Sequence, residues 1–187
     1  MEHALTLSRL PRWHPTQKLS CAECSVELRR WLLDRSSLTA RLRAIAGESF
    51  KVTVLRQSLA KPRLDEALAL SIPASKYVMI REVILWGHDE PWVYARSVFP
   101  MGAVSGSLRF LRKLGNRPLG DLLFHNPRVT RGTISVSYST PASLRSYGIT
   151  RTTWSRRSLF TYNNHTLLVS ETFIPDTCLN AKPITNQ

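Results

Sequence analysis

Three charged side chains lie in segments that otherwise have the apolar character of buried β-strands. Arg81 lies in YVMIREVILWG, Arg96 in EPWVYARSVFP and Glu171 in HTLLVSETF. Because side chains alternate between the two faces of a strand, each of these groups shares a face with bulky apolar residues. A buried charge needs a partner. The three positions are therefore candidates for catalysis or for binding a ligand.

The two arginines belong to one predicted hairpin. If His88 and Asp89 form a two-residue turn, Arg81 and Arg96 lie directly opposite each other on the same face. Like charges in that arrangement are destabilising. An anion would relieve the repulsion, and guanidinium binds carboxylate through a bidentate fork. The alternative is that each arginine reaches the sheet edge or pairs with an internal carboxylate such as Glu171.

Glu82 is predicted on the face opposite Arg81. There we interpret it as a member of a structural ion pair or as a rim residue.

Glu171 belongs to a second predicted hairpin, whose turn is formed by Asn163 and Asn164. This turn places Arg156 opposite Glu171, so a simple cross-strand ion pair is one interpretation of the glutamate. The other is a functional carboxyl that acts as an acid, a base or a hydrogen-bond acceptor. An apolar pocket that contains arginines and one glutamate suits a small aromatic or pre-aromatic carboxylate.

The remaining pattern predicts the elements that hold these residues. Helical spacing indicates one helix from Ser25 and a second that is capped by Ser36 or Ser37 and ends at Gly47. Further predictions are strands over residues 50–58 and in RVTRGTISVSYS, a polar link over residues 60–76, a basic helix ending at Gly115 and a short helix over residues 118–124. Short turns between consecutive strands favour an antiparallel sheet.

We therefore predict an α+β fold: a single domain with a roughly six-stranded antiparallel sheet and helices packed on it. The predicted boundaries are an irregular N-terminal segment over residues 1–24, the domain over residues 25–176, and a polar C-terminal tail over residues 177–187. We expect a monomer.

The formal net charge of +13 indicates an anionic partner, such as nucleic acid, a membrane surface or a small acidic ligand, unless it only aids solubility. The basic residues occur with no known nucleic-acid-binding motif, so we expect no specific nucleic-acid partner. No apolar run is long enough to span a bilayer, and the N-terminus does not have the pattern of a signal peptide.

The cysteines are Cys21, Cys24 and Cys178. An odd number is not typical of a disulfide framework, and one CxxC pair without further ligands does not predict a zinc site. We therefore expect a cytoplasmic protein without a bound metal.

Four stretches together resemble the chorismate lyase family. They are WLLDRSSLTARL, YVMIREVILWGHDEPWVYARSVFP, LRKLGNRPLGDLLF and WSRRSLFTYNNHTLLVSETFIP, and they follow one another in order over residues 31–175. The resemblance implies a single-domain α+β enzyme that converts chorismate to 4-hydroxybenzoate and pyruvate for ubiquinone biosynthesis. It also implies that the enzyme uses no metal or organic cofactor.

The resemblance also implies roles for particular residues. Arg81 would bind a carboxylate, Glu171 would meet the ring hydroxyl, and Arg96 would be a second functional arginine. The main-chain amides of Leu38 and Leu119 would help to hold the carboxylate. On this basis the expected catalytic residues are Glu171, Arg81 and Arg96, and the expected substrate-binding residues are Leu38, Arg81, Leu119 and Glu171.

A non-catalytic function is the alternative. The effector-binding domain of a group of helix-turn-helix repressors is similar in fold to chorismate lyase, and it binds a small ligand without turnover. That function would require a DNA-binding module, and the residues before the first predicted helix show no helix-turn-helix pattern.

Overall fold

The computed structural model of this protein describes residues 10–19, 24–106, 108–139, 144, 150–174, 177 and 179. Its centre is a seven-stranded sheet with the strand order β1-β5-β6-β7-β4-β3-β2, in which every neighbouring pair is antiparallel. The strands are β1 (His14–Pro15), β2 (Lys51–Ala60), β3 (Val78–Gly87), β4 (Glu90–Pro100), β5 (Thr130–Ser139), β6 (Thr153–Tyr162) and β7 (His165–Phe173).

The predicted α+β class and antiparallel sheet are confirmed, with seven strands in place of about six. The additional strand is β1, which has two residues and lies in the segment that was predicted to be irregular. It pairs with β5 through His14 and Pro15. So short a strand has no alternation that a sequence could show.

Among the described residues, five α-helices connect the strands: α1 (Val26–Leu33), α2 (Leu38–Ala46), α3 (Leu64–Leu70), α4 (Met101–Ser105) and α5 (Leu119–His125). Short 3₁₀ helices cover Thr16–Lys18, Gly47–Ser49 and Arg109–Lys113. The predicted basic helix ending at Gly115 is instead the 3₁₀ helix Arg109–Lys113, and α4 precedes it.

The first two helices begin as predicted. The Ser25 hydroxyl accepts a hydrogen bond from the Leu28 amide at 3.2 Å, and the Ser37 hydroxyl accepts one from the Ala40 amide at 3.3 Å. These bonds satisfy amides that have no partner within the helix. Gly47 ends α2 with a φ of 56°, a conformation that glycine adopts without strain.

Helix α3 was missed, because the sequence predicted only a polar link there. It begins after Arg63, whose amide donates to the Glu66 carboxylate at 2.8 Å. Prolines and polar residues surround this helical run, and its seven residues are too few for a clear period. Another small difference concerns Pro118, which precedes the first residue of α5 instead of opening the helix.

The helices lie on both faces of the sheet. On one face, α1 and α2 pack in a core with Val83, Leu85 and Ala95, and α4 and α5 pack in a second core with Met79 and Phe99. On the opposite face, Leu70 of α3 packs with Val78, Ile80, Val98 and Leu168. The face under α2 and α5 is called the cavity face below.

Both predicted turns are present, but the first hairpin contains an additional residue. Trp86 pairs with Pro91 and Leu85 pairs with Val93, so Trp92 forms a β-bulge. The Trp92 indole lies over Gly87, where a Cβ would be 2.1 Å from the ring.

The bulge shifts the register of every pair beyond it by one residue. Arg81 therefore pairs with Ser97, and Arg96 pairs with Glu82. The predicted pairing of Arg81 with Arg96 is wrong, and the two arginines lie on opposite faces of the sheet.

Within the described ranges, none of the helices has the length and apolar character needed to cross a lipid bilayer.

Candidate active site

A mostly apolar cavity lies between the cavity face and the N-terminal ends of α2 and α5. Of the predicted site residues, Leu38, Arg81, Leu119 and Glu171 line this cavity, and Arg96 does not. The other lining residues are Thr39, Val52, Val83, Leu85, Ala95, Ser97, Pro118, Gly120, Leu123, Phe124, Phe160 and Val169. The structure thus brings together residues from strands and helices that are far apart in the sequence.

Arg81 projects from the middle of β3 and is only 2% exposed. Its guanidinium donates to the side-chain oxygen of Gln57 at 2.9 Å and to the carbonyl oxygens of Gly115 and Arg117 at 2.8 and 3.2 Å. All of these acceptors are neutral. In the part of the chain that the structure describes, Arg81 forms no ion pair. Burial lowers the pKa of its guanidinium, and an anionic ligand would compensate this cost.

Glu171 lies on β7 directly opposite Arg156, so the predicted cross-strand pair is confirmed. Arg156 Nε is 2.5 Å from Glu171 Oε2. The Arg156 Nη1 group also donates to the carbonyl oxygens of Trp31 and Asp34 at 2.6 and 2.7 Å. The same carboxylate lines the cavity, so the ion pair and the functional position coexist. Arg156 fixes Glu171 and attaches the end of α1 to the sheet.

The register of the strands gives the distance between the Cα atoms of Arg81 and Glu171. Arg81 pairs with Ser97, and Glu171 pairs with Ala95, so the two residues lie on the same face, two strands and two residues apart. Standard strand spacings place their Cα atoms about 12 Å apart. Both side chains line the same cavity.

Leu38 and Leu119 are the first residues of α2 and α5. Amides in the first turn of a helix have no acceptor within the helix, and that end carries partial positive charge. The two ends are in close contact, because a Cβ at Gly120 would lie 2.7 Å from Thr39 Oγ1. Backbone donors for an anion are thus available at both predicted positions.

The connection between α1 and α2 is held by Asp34. Its carboxylate accepts hydrogen bonds from the Ser36 amide at 2.8 Å, the Ser36 hydroxyl at 2.7 Å and Arg41 Nη1 at 2.6 Å. Burial opposes ionisation, but these donors together lower the pKa of Asp34 to about 2. The charged carboxylate therefore orients the turn that leads to Leu38.

Arg96 belongs to a buried polar cluster on the opposite face. It lies 2.6 Å from Glu66 and 2.9 Å from Glu82, and Tyr94 donates a hydrogen bond to Glu82. Burial opposes the charge on Arg96, but Glu66 and Glu82 raise its pKa overall. The prediction that Arg96 shares a face with Arg81 is wrong, whereas the interpretation of Glu82 as an ion-pair member is confirmed.

Sequence reasoning did not select Arg131, which lies beside the cavity. Its guanidinium carbon is 5.6 Å from the ring centre of Phe124 and 5.4 Å from that of Phe160, and both rings line the cavity. Arg131 follows the polar stretch PRVT, which has no strong alternation. An arginine at the start of a predicted strand was the only available signal.

Among the residues with a described structure, no group of three or more His, Cys, Asp or Glu side chains could hold a metal ion. Of the cysteines, Cys24 lies within the described residues and is partly buried. Cys21 and Cys178 lie outside the described residues.

Comparison with known proteins gives agreement over nearly the whole chain. The family model described as chorismate lyase matches residues 7–182. Curated relatives named probable chorismate pyruvate-lyase include one from Pseudomonas aeruginosa, 42% identical over 78% of this chain and 82% of its own. Another from Methylococcus capsulatus is 39% identical over 78% and 93%, and one from Pseudomonas fluorescens is 35% identical over 98% of both chains.

Solved structures with a similar fold include regulatory proteins. A GntR-family transcriptional regulator from Bacillus cereus has a TM-score of 0.53 at 9% identity and covers 70% of this chain and 94% of its own. The effector domain of PhnF from Mycobacterium smegmatis has a TM-score of 0.53 at 12% identity and covers 77% and 91%. At this identity the likeness concerns the fold alone.

Proposed function

The chain belongs to the chorismate lyase family, and we propose that it converts chorismate to 4-hydroxybenzoate and pyruvate, the aromatic product serving ubiquinone biosynthesis. The observation that carries this proposal is Arg81. It is a buried guanidinium that has only neutral acceptors among the described residues, and it faces an apolar cavity that also contains Glu171. That combination suits a flat ring with a carboxylate at one end and a hydroxyl at the other.

In the proposed complex, Arg81 binds the ring carboxylate, assisted by the backbone N–H groups of Leu38 and Leu119. Glu171 accepts a hydrogen bond from the ring hydroxyl. The spacing of about 12 Å between the Cα atoms of Arg81 and Glu171 suits these two contacts across one ring. The apolar lining excludes water and strengthens both interactions.

The chemistry is an elimination within one substrate molecule. The C–H bond at the hydroxyl-bearing carbon breaks and its electron pair completes the aromatic ring. The C–O bond at the neighbouring carbon breaks, and its electron pair leaves with the ether oxygen as the enolate of pyruvate, which then takes up a proton. Since oxidation and reduction balance inside the substrate, the step requires no external oxidant, reductant or organic cofactor.

Aromatisation provides much of the driving force, so the protein acts chiefly through binding and orientation. Arg81 and the helix ends fix one end of the ring, and Glu171 fixes the other. Glu171 is also placed to exchange a proton with the hydroxyl-bearing end of the substrate.

The test is incubation of the purified protein with chorismate, with pyruvate measured by a coupled assay. Chromatography then separates 4-hydroxybenzoate from 3-hydroxybenzoate. We expect equal amounts of pyruvate and 4-hydroxybenzoate. Arg81→Ala and Glu171→Ala should each lower kcat/KM by about 10²–10³-fold, the usual effect of removing a charged anchor in a closed site. Arg112→Ala, which removes an exposed arginine, is the matched control and should retain activity.

Absence of pyruvate release by the wild-type protein would overturn the proposal. Binding of 4-hydroxybenzoate without any turnover of chorismate would instead favour a ligand-sensing function. Near-normal turnover by either alanine variant would refute the role assigned to that residue.

A further inference from the structure

Chorismate carries two carboxylates, and the assignments above account for one. The second belongs to the enolpyruvyl group that leaves during the reaction. Arg96 cannot reach it from the cavity side, because Arg96 lies on the opposite face in ion pairs with Glu66 and Glu82. A different cation is therefore needed at the end of the cavity near Glu171.

We propose that Arg131 binds this second carboxylate and so distinguishes the dianionic substrate from the monoanionic aromatic product. The inference rests on the proposed function, since it concerns a substrate with two carboxylates.

The local balance of charge supports this role. At this end of the cavity, four charged side chains are paired with one another, in the ion pairs Arg156–Glu171 and Arg41–Asp34. Arg131 forms no ion pair with any residue that the structure describes.

In the described part of the chain, Arg131 donates hydrogen bonds to neutral oxygens. Its Nε donates to the Ser158 hydroxyl at 3.0 Å, and its Nη1 donates to the carbonyl oxygens of Asp34 and Ser36 at a long 3.4 Å. Burial, followed by repulsion from Arg156, lowers the pKa of Arg131 to about 10. The group is therefore charged at neutral pH, and a bound anion would stabilise it.

The position of Arg131 on the sheet also supports this role. Arg131 pairs directly with Phe160 on the neighbouring strand, so it shares the cavity face with a residue that lines the cavity. The register of β5 is irregular between Arg131 and Ile134, and such a bulge redirects side chains beside functional sites. The guanidinium lies against the Phe124 and Phe160 rings.

Arg131 also lies near Glu171. The carbonyl oxygen of Asp34 accepts hydrogen bonds from both Arg131 and Arg156, so these guanidinium groups are neighbours. Arg156 in turn contacts Glu171 at 2.5 Å.

This position matches the substrate. In chorismate the hydroxyl and the enolpyruvyl ether occupy adjacent ring carbons, so a hydroxyl held by Glu171 places the second carboxylate near the same residue. In the strand order β5-β6-β7-β4-β3, the strand with Arg131 lies on one side of β7 and the strand with Arg81 on the other. The two arginines can thus bind the two carboxylates of one molecule.

The experiment compares substrate with product in the same set of variants. Steady-state kinetics gives kcat and KM for chorismate, and calorimetry gives Kd for 4-hydroxybenzoate. We expect Arg131→Gln to lower kcat/KM by about 10–100-fold, the range for loss of one charge-assisted hydrogen-bonded contact. Its Kd for 4-hydroxybenzoate should stay within about twofold of wild type, because the product lacks the second carboxylate.

Two further variants complete the design. Arg128→Gln removes the same charge from an exposed position three residues away and should match wild type, which controls for long-range electrostatics. Arg131→Lys keeps the charge but loses the planar fork, so its kcat/KM for chorismate should lie between those of Arg131→Gln and wild type. Its Kd for 4-hydroxybenzoate should not differ from that of Arg131→Gln. It also provides a folded variant if Arg131→Gln is unstable in thermal unfolding.

The outcomes are distinct. Chorismate turnover by wild type with unchanged kcat/KM in Arg131→Gln would overturn the role of Arg131 and leave the proposed function intact. An equal loss of substrate and product binding would also overturn it, because Arg131 would then only support the structure. No turnover by wild type would overturn both proposals.

Discussion

At the scale of single residues, two buried arginines have different roles in this protein. Arg81 and Arg96 are both buried, lie on adjacent strands and are surrounded by apolar residues. Arg81 has only neutral acceptors within the described structure, whereas Arg96 binds Glu66 and Glu82. The first arginine is available to a ligand, and the charge of the second is already satisfied.

This difference predicts a stability effect at Arg96. Arg96→Met leaves two buried carboxylates without their cation and should lower the free energy of unfolding by about 3–5 kcal/mol. The folded fraction should keep kcat for chorismate, because Arg96 does not line the cavity. Urea unfolding and kinetics below the transition measure the two effects.

Arg56→Met is the matched control, since Arg56 is exposed on β2 and its loss should change stability by less than about 0.5 kcal/mol. If Arg96→Met had wild-type stability but no turnover, Arg96 would have a direct role in the reaction.

At the scale of elements, the site depends on the contact between the first turns of α2 and α5. Arg43 of α2 forms an ion pair with Asp121 of α5 at 3.0 Å, and Gly120 packs against Thr39. The backbone N–H groups of the two helices can bind one carboxylate together only if these ends stay close.

Gly120→Ala tests this contact. The new Cβ would lie 2.7 Å from Thr39 Oγ1 and 3.2 Å from Thr39 Cβ, so the helix ends must separate. We expect kcat/KM to fall by about 10–100-fold, since small displacements of positioning groups have effects of this size. Chorismate kinetics and the Kd of 4-hydroxybenzoate provide the measurement.

The control for this substitution is Gly102→Ala in α4, where the nearest atom to a new Cβ is 3.8 Å away. That variant should be neutral or slightly more stable, because alanine favours helix. Wild-type activity in Gly120→Ala would show that the close contact is not needed for binding.

At the scale of the whole molecule, the charge of +13 provides a long-range field that no single contact requires. A dianionic substrate is attracted from a distance by such a field. One solved structure of similar fold, with a TM-score of 0.53, is a transcriptional regulator, so the fold does not itself determine function. Charge and cavity chemistry are therefore the features to test.

Electrostatic steering predicts a salt effect on the second-order rate. Raising ionic strength from about 0.02 to 0.5 M should lower kcat/KM for chorismate several-fold, because the Debye length shortens from about 20 Å to about 4 Å. The value of kcat should change little, since the bound substrate is shielded from salt. If kcat/KM does not depend on salt, the net charge does not steer the substrate, and its role is limited to solubility.

Much of the fold could be predicted from local sequence. Serine caps, the glycine after α2 and the Asn163–Asn164 turn all act within a few residues, so the pattern indicated α1, α2 and the second hairpin. The missed elements include α3, with seven residues, α4, with five, and β1, with two, and all three are too short for a clear period.

Local sequence is enough to show that charged groups lie within apolar strands, and the turn of the second hairpin is enough to pair Glu171 with Arg156. Which arginine faces the cavity depends on how the strands pack. One additional residue in β4, Trp92, packs over Gly87. Because of it, every later residue of β4 faces the side of the sheet opposite to the side predicted without a bulge. Side chains alternate between the two faces of a strand with a period of two, so a single bulge reverses the predicted face of every residue beyond it. Only packing in three dimensions determines where that bulge occurs.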